Sequence, residues 1–302
     1  MELIFDKVVE NCPLCNRTKF HSFGGRDHFG YRITYNICDY CAMIFMNPQM
    51  NEGILDAFYD NEYRKLYKGN EAPTEKEINF QFVRGRNQAL LIASEVKAKK
   101  IEINRYLDIG CSAGSHLISI GELIPQVDLY GIEPGTAYRE HCNKMGIKAF
   151  KNLEELLKLD LKFDAISISH VLEHIHNPVE YLRYLRKELL NDNGVILIEV
   201  PNTLGGHGAF EIAHPICFTK KTLKETMQLS GLDQIEIITH NITQSKRDLE
   251  LYLLAIGYSS KYESISKVKK ANYLITKFLR RRGSKKEDII TTIKILAKEL
   301  IK

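Results

Sequence analysis

The apolar positions of the chain change their spacing near residue 100. Beyond it, the strand-like runs "INRYLDIG", "VDLYGIEP", "KAF", "FDAISIS" and "GVILIEVP" alternate with segments whose apolar residues recur at helical spacing. A βαβ series of this kind predicts a mainly parallel sheet covered by helices. The later runs "QIEIITHN" and "LELYLLAIGY" have no helical segment between them. We therefore expect an α/β fold of seven strands in which the last two pair antiparallel.

Three other patterns surround this series. Residues 1–50 combine short strand-like runs with glycine turns and predict a small, loop-rich module. Residues 51–100 place apolar and aromatic side chains at helical spacing and predict two linking helices. Residues 259–302 repeat an amphipathic pattern twice and predict a helical tail. The core then corresponds to residues 101–258.

Composition and charge limit the classes of protein to which the chain can belong. With 302 residues, 44% of them hydrophobic, the chain can bury a sizeable core. We expect a cytoplasmic protein, since no apolar run approaches the roughly 20 residues of a membrane span and the first residues do not resemble a signal peptide. The net charge of +4 hides a basic tail, because residues 260–302 hold 13 Lys and Arg against 4 Asp and Glu.

Four of the seven cysteines form two C-x-x-C pairs in the N-terminal module. Cys12, Cys15, Cys38 and Cys41 have the spacing C-x2-C-x22-C-x2-C, which is typical of zinc sites with four thiolate ligands. A redox C-x-x-C pair would begin a helix of a thioredoxin-like unit, and no such unit precedes the core. Four thiolates leave no open coordination position, so we expect a structural zinc ion.

The stretch "LDIGCSAGSH" at residues 107–116 predicts a ligand-binding turn after a strand. Its glycines do not follow the G-x-G-x-x-G pattern of dinucleotide-binding turns, and no Gly-Lys-Ser/Thr of a phosphate-binding loop is present. Asp108 ends the first core strand and Glu133 ends the second. A carboxylate at the second position accepts ribose hydroxyls, and one at the first suits a cationic amino group. Adenosine joined to a charged amino acid describes S-adenosylmethionine (SAM).

Together, "LDIGCSAG", "GIEPG" and "FDAISISHVLEHIHNPVEYL" resemble the motifs of class I SAM-dependent methyltransferases. The resemblance covers about residues 100–260 and implies a seven-stranded Rossmann-like sheet. Ser112 is a departure, because the family commonly has glycine there. Glu133 would hold the ribose hydroxyls and Asn152 would lie near the adenine. By the same resemblance, the residues at the methionine and ribose moieties would be Asp108, Gly110, Ser112, Gly114, Ser169 and His170.

The resemblance also suggests catalytic residues. "FEIAHPICFTKKTL" follows the fifth strand, as in methyltransferases that include sugar methyltransferases, and maps Glu211 and His214 to an acid–base pair. We expect His214 to be the base, with His174 as the alternative. The sequence "HVLEH" matches an inverted zinc-protease signature, but Pro178 limits any helix through it and makes a protease improbable.

The N-terminal module resembles the zinc ribbon found before methyltransferases that act on sugars and other small molecules. In those enzymes the next helix covers the cofactor pocket as a lid, which suggests a similar role for Tyr63 within residues 51–100. Related sugar C-methyltransferases carry a large domain after the core, whereas only residues 259–302 follow it here. We therefore expect O-methylation of a sugar or related polar acceptor, within polysaccharide biosynthesis.

The acceptor has a second candidate. Zinc ribbons and basic tails also occur in RNA methyltransferases, so RNA remains an alternative acceptor. The fourth strand is not followed by the N/D-P-P-Y/F segment that grips a flipped base, which argues against methylation of an exocyclic base nitrogen. The apolar stripe and basic charge of the tail suit peripheral membrane contact as well as a solvated helical hairpin.

Overall fold

The fold was analysed in a computed structural model of the chain. The structure describes residues 3–51, 53–54, 58, 66–67, 72–205, 209–241, 251–259 and 267–282. Tyr63, most of the linker before residue 72 and the tail beyond residue 282 lie outside the described residues. No helix in the described part of the chain is long and apolar enough to cross a membrane.

A seven-stranded mixed sheet forms the core, as the sequence predicts. Its strands, in chain order, are β6 (Arg105–Ile109), β7 (Asp128–Ile132), β8 (Lys148–Phe150), β9 (Phe163–Ser169), β10 (Leu190–Pro201), β12 (Leu232–His240) and β13 (Tyr252–Ser259). The spatial order is β12-β13-β10-β9-β6-β7-β8. β13 pairs antiparallel with both β10 and β12, while the pairs among β6 to β10 are parallel.

Burial explains why the central strands form. β9 lies between β6 and β10, and five of its seven residues are buried. Leu107 in β6 is opposite Ile166 in β9, and both side chains are fully buried. Strands covered by helices on both faces are apolar without strict alternation. This is why the run "FDAISIS" contains so few exposed positions.

Helices cover the two faces of the sheet. They are α1 (Glu75–Ala98), α2 (Ser115–Leu123), α3 (Thr136–Lys144), α4 (Leu153–Leu157), α5 (Pro178–Tyr184) and α6 (Lys220–Leu229). A further helix, α7 (Tyr273–Arg282), instead contacts the N-terminal module, where Tyr273 stacks on His21. The start of α1 is fixed by a capping box, in which the Thr74 hydroxyl accepts from the Glu77 backbone and the Glu77 carboxylate accepts from the Thr74 backbone. α5 ends at Tyr184, a π-helical turn over Leu185–Leu189 follows it, and β10 begins at Leu190.

The close approach of α1 to α2 depends on a glycine. A Cβ atom on Gly85 would lie 2.8 Å from the backbone nitrogen and Cα of His116. The ring of His116 bridges the two elements, with Nδ1 3.2 Å from the carbonyl oxygen of Gly85 and Nε2 2.8 Å from the hydroxyl of Tyr106. α1 is therefore held directly over the start of α2, where the glycine turn ends.

The N-terminal module is joined to the core by a shared sheet. Its strands are β1 (Phe5–Lys7), β2 (Phe20–His28), β3 (Tyr31–Cys38), β4 (Ile44–Met46) and β5 (Gln49–Met50). β2, β3 and β4 form an antiparallel sheet whose fourth strand is β11 (Ile216–Cys217), which follows the proposed catalytic segment. The module and the loop that carries His214 therefore belong to one hydrogen-bonded structure.

Candidate active site

The predicted site residues lie at the carboxyl ends of the central parallel strands. This edge is where open α/β sheets bind their ligands. Asp108 and Glu133 are near the ends of β6 and β7, Ser169 ends β9, and Glu199 lies in β10 opposite Ser169. The strand order therefore places side chains that are far apart in sequence along one edge.

The glycine turn between β6 and α2 has little room for side chains. Gly110 and Gly114 have φ angles of 77° and 75°, a region that disfavours residues with a Cβ atom. A Cβ on Gly110 would lie 2.5 Å from Cγ2 of Val171, and one on Gly114 would lie 2.4 Å from Cδ1 of Ile147. Ser112 also has a positive φ of 49°. The turn therefore requires glycine at both positions, for its backbone conformation and for its packing.

Glu133 faces this turn from the end of β7. Its side chain is buried, and its carboxylate accepts hydrogen bonds from the backbone N–H groups of Ser112 (3.1 Å) and Gly135 (2.7 Å). A buried carboxylate needs such donors to offset the loss of hydration. The structure therefore brings Glu133 and the glycine turn together.

Asp108 is buried beneath the turn. Its Oδ1 accepts a hydrogen bond of 2.6 Å from the hydroxyl of Ser167 in β9. Burial raises the pKa of Asp108, and the nearby Glu133 raises it further, although His116 and Ser167 act in the opposite direction. Asn152 has a different environment, because it is exposed and its side chain accepts from the backbone of Glu155 to cap α4.

Helix α1 covers the site through polar side chains that the sequence analysis did not identify. Gln81 donates to the hydroxyl of Ser112 (3.1 Å), and Gln88 donates to the hydroxyl of Ser169 (3.0 Å). Between them, Arg84 forms an ion pair with the fully buried Glu199. Positions 81, 84 and 88 share one helical face. A polar face on an otherwise half-buried helix is the sequence signal that could have identified these three residues.

A network of charges surrounds Glu199. Nε2 of His170 and Nε2 of His240 each lie 3.1 Å from one of its oxygens. Burial alone would raise the pKa of Glu199, but Arg84 and His240 outweigh that effect and lower it. Nδ1 of His170 lies 3.1 Å from Glu173. Since carboxylates only accept, this arrangement is satisfied when both nitrogens of His170 carry hydrogen.

The proposed catalytic residues form a second, adjacent cluster. His174 belongs to a 3₁₀ turn, Leu172–His174, directly after β9, and His214 comes from the loop before β11. The two rings are 4.8 Å apart between centroids, and Oε2 of Glu211 is 3.8 Å from Nε2 of His214. His174 and His214 are buried, whereas the side chain of Glu211 is partly exposed. The structure therefore brings together the three residues that the sequence predicted to act in catalysis.

The surroundings shift the pKa values of His214 and Glu211 in opposite directions. Burial and the neighbouring His174 lower the pKa of His214 to about 4, so its ring is neutral at physiological pH. Burial raises the pKa of Glu211, although a hydrogen bond from Tyr67 opposes that shift. Tyr67 belongs to the predicted linker, and its contact with Glu211 brings one described residue of that segment to the site.

The N-terminal module holds the loop that carries His214. The hydroxyl of the buried Tyr35 lies 3.0 Å from the carbonyl oxygen of Glu211 and 3.2 Å from that of His214. The carbonyl of Pro215 accepts from the backbone of Met46 (2.8 Å). The module therefore fixes the backbone of a loop more than 160 residues away in sequence.

The four cysteines of the module converge. The Sγ atoms of Cys12 and Cys41 are 3.5 Å apart, and those of Cys15 and Cys38 are also 3.5 Å apart. Sulfurs around a tetrahedral zinc ion, at Zn–S distances of about 2.3 Å, are about 3.8 Å apart. All four lie within 4.8 Å of one another. The donor set and its spacing therefore fit zinc, which would hold together the ends of β3 and the loops beside it.

The topology and this edge define a class of protein. A seven-stranded sheet with an antiparallel β13, a glycine turn after β6 and a buried carboxylate after β7 is the architecture of a class I SAM-dependent methyltransferase. Residues 70–259, more than half of the chain, match the family model described as a methyltransferase domain. The chain belongs to this family and is a SAM-dependent methyltransferase.

The chain is similar to proteins whose names describe different activities. The carboxy-S-adenosyl-L-methionine synthase of Campylobacter hominis is 24% identical over 221 residues, covering 61% of this chain and 94% of that protein. The tRNA U34 carboxymethyltransferase of Campylobacter jejuni subsp. jejuni is 34% identical over 99 residues, which are 30% of this chain and 33% of that protein. Protein translocase subunit SecA of Pelagibacter ubique is 30% identical over 161 residues, 52% of this chain, and the chain spans 18% of its length.

Solved structures agree on the fold. The plantazolicin methyltransferase BpumL, in complex with a monoazolic desmethylPZN analog and SAH, superposes with a TM-score of 0.52 at 17% identity, covering 69% of this chain and 94% of that chain. The plantazolicin methyltransferase BamL, in complex with a triazolic analog and SAH, gives a TM-score of 0.50 at 15% identity over 70% and 99% of the two chains. Likeness at this identity shows the fold alone.

Proposed function

We propose that this enzyme methylates a hydroxyl of a sugar, nucleotide-activated or part of a surface glycan, or of a related small polar acceptor. The observation that carries the proposal is the cluster of His174, Glu211 and His214 beside the glycine turn. Val171, two residues after β9, lies against Gly110, so the cluster begins where the cofactor turn ends. An acceptor rich in hydroxyl groups suits a pocket wall made of imidazole and carboxylate groups.

The residues of the glycine turn fit SAM. Gly110 and Gly114 form a tight turn at positive φ angles, and Glu133 places a buried carboxylate beside it. We propose that Glu133 binds the ribose hydroxyls, that Asn152 lies beside the adenine, and that Ser169 and His170 flank the methionine end. The methionine and ribose moieties would otherwise contact Asp108, Gly110, Ser112 and Gly114.

Methyl transfer to a hydroxyl requires a proton acceptor. SAM supplies the methyl group, and an oxygen–carbon bond forms as the carbon–sulfur bond breaks with its electron pair on sulfur. The hydroxyl proton leaves in the same step. Because His214 has a low pKa and Glu211 a raised one, we place that proton on Glu211 and give neutral His214 an orienting role. From the sequence we expected the reverse, with His214 as the base. His174 remains the alternative base.

A Glu211→Gln variant tests the assignment. We expect methyl transfer from labelled SAM into nucleotide sugars to fall at least about 100-fold, while the affinity for SAM stays unchanged. Glu236→Gln, at an exposed position in β12, is the matched control. A Glu211→Gln enzyme that keeps a third or more of the wild-type rate would contradict the role of Glu211 as proton acceptor.

RNA is the second candidate acceptor. The observation in its favour is the similarity to a tRNA U34 carboxymethyltransferase over 99 residues. The zinc ribbon and the basic tail would then bind the nucleic acid, and log K for RNA would fall steeply with log salt concentration. A sugar acceptor predicts no such salt dependence of KM.

A further inference from the structure

We propose that Glu173, His174 and His214 bind a divalent transition-metal ion at the acceptor side of the active site. Each of the three residues offers a ligand atom, and these atoms lie within 4.8 Å of one another. All three side chains are buried, with exposed fractions of 1%, 9% and 6%. The site is separate from the four cysteines and is built from the 3₁₀ turn Leu172–His174 and the loop before β11.

The backbone fixes the orientation of each histidine ring. Nδ1 of His174 lies 2.7 Å from the carbonyl oxygen of Ala213, and Nδ1 of His214 lies 3.1 Å from that of Ala209. A carbonyl oxygen only accepts, so each Nδ1 carries the hydrogen, and Nε2 is the nitrogen through which either ring would coordinate a metal ion. Metal-binding histidines are oriented in this way, with the second ring nitrogen donating to a backbone carbonyl.

Glu173 supplies an independent sign of a missing ligand. Its Oε1 is 3.1 Å from Nδ1 of His170, but its buried Oε2 has no hydrogen-bond partner among the residues that the structure describes. A buried, unpaired carboxylate oxygen is costly. A cation bound to Oε2 would remove that cost.

The contact between His214 and Glu211 also lacks a hydrogen bond. Nε2 of His214 lies 3.8 Å from Oε2 of Glu211, which is too long for a hydrogen bond. Both atoms carry lone pairs, since Nδ1 of His214 is the nitrogen that donates. A proton donor or a cation beside two such acceptors offsets their repulsion, and Tyr67 already supplies one donor to Glu211. Glu211 is therefore next to the proposed ion.

The donor set indicates which ions are suitable. Two imidazoles and one carboxylate match Zn²⁺, Fe²⁺, Co²⁺ or Mn²⁺, whereas Mg²⁺ prefers oxygen ligands only. Ligands at about 2.0–2.2 Å from a tetrahedral ion are about 3.3–3.6 Å apart. This spacing lies within the 4.8 Å that bounds the separations of the three ligand atoms. Three protein ligands leave a coordination position open.

The open position would take the acceptor oxygen. The binding of the ion stands on the contacts above, but its role rests on the proposed function. A metal-bound hydroxyl has a lowered pKa and loses its proton more readily to a neighbouring carboxylate. The proton would then pass to Glu211 while the oxygen attacks the methyl carbon, and sulfur would take the electron pair of the broken bond.

Cobalt absorption tests the site directly. Tag-free protein whose four cysteines are saturated with zinc is titrated with Co²⁺, and we expect one further ion per chain with visible d–d bands and no thiolate charge-transfer band. Glu173→Gln and His214→Asn should each weaken this binding at least tenfold, whereas His141→Asn, on α3, should leave it unchanged.

Two results would overturn the proposal. One is the absence of cobalt uptake by folded wild-type protein, and the other is uptake of equal affinity by wild-type protein and both ligand variants. Circular dichroism of each variant verifies that it is folded, and the wild-type titration remains decisive if a variant does not fold. SAM binding and methyl transfer are measured on the same samples, so loss of the metal site and loss of the proposed function are distinguishable.

Discussion

At the scale of single residues, the site combines buried charges with backbone groups that bind them. Glu133 accepts two backbone hydrogen bonds beside the glycine turn, and Asp108 accepts one from the side-chain hydroxyl of Ser167. Donors of this kind offset part of the hydration that a buried carboxylate loses. Substitution of one of these carboxylates therefore tests how the site binds SAM.

Glu133→Gln should weaken SAM binding at least tenfold, or about 1.4 kcal/mol, because the amide accepts less strongly from the ribose hydroxyls. Equilibrium dialysis with labelled SAM measures the change. Glu140→Gln, at an exposed position in α3, is the control for loss of one negative charge. A Glu133→Gln enzyme whose Kd for SAM stays within twofold of wild type would contradict the role proposed for Glu133.

Short-range patterns account for the site residues that the sequence predicted. Gly110, Gly114 and Glu133 follow apolar strands directly, so their position at the sheet edge follows from the strand order. Arg84 and Glu199 could not be paired in this way, since 115 residues separate them and neither stands in a recognised motif. Their contact exists because α1 crosses the sheet edge, which no local pattern specifies.

At the scale of elements, α1 is the component that closes the site. Its capping box sets where it begins, and its polar face contacts Ser112, Ser169 and Glu199. Gly85 sets how closely it approaches α2. The pattern of apolar residues predicted a helix in this region. Because the helix is only weakly amphipathic, the pattern could not indicate which of its sides faces the glycine turn.

Gly85→Ala should destabilise the protein by more than about 1 kcal/mol. An alanine within a helix is ordinarily about 1 kcal/mol more favourable than glycine. A decrease in the free energy of unfolding would therefore be evidence for the close contact with the backbone of His116. Urea unfolding followed by circular dichroism measures the effect. Ser94→Ala, at an exposed position of α1, should be neutral or slightly stabilising. A stabilised Gly85→Ala protein would show that α1 does not lie this close to α2.

At the scale of the whole molecule, the N-terminal module contacts the loop that carries Glu211 and His214. β11 adds to the sheet of the module, and Tyr35 contacts the backbone at Glu211 and His214. The sequence predicted a separate module at residues 1–50 but not this joint sheet, because β11 has only two residues and carries no strand pattern of its own. We infer that the module, whose four cysteines fit a zinc ion, positions the loop that carries Glu211 and His214.

Tyr35→Phe should lower kcat severalfold without changing the Kd for SAM, since it removes the hydroxyl that contacts the loop and leaves the glycine turn intact. Tyr40→Phe is the matched control, because the Tyr40 hydroxyl lies in the same module and contacts the carbonyl of Val268, away from the loop. Steady-state kinetics and dialysis separate the two quantities. Equal kcat values for the two variants would argue against a positioning role for the module.

The most direct test of the whole account is transfer of labelled methyl groups from SAM, by purified enzyme, into a fractionated lysate of cells that lack this gene. The account predicts label in the nucleotide-sugar or glycan fraction, with the loss of that label in Glu211→Gln. Label confined to RNA would contradict the sugar acceptor and make the zinc ribbon and basic tail a surface for binding nucleic acid.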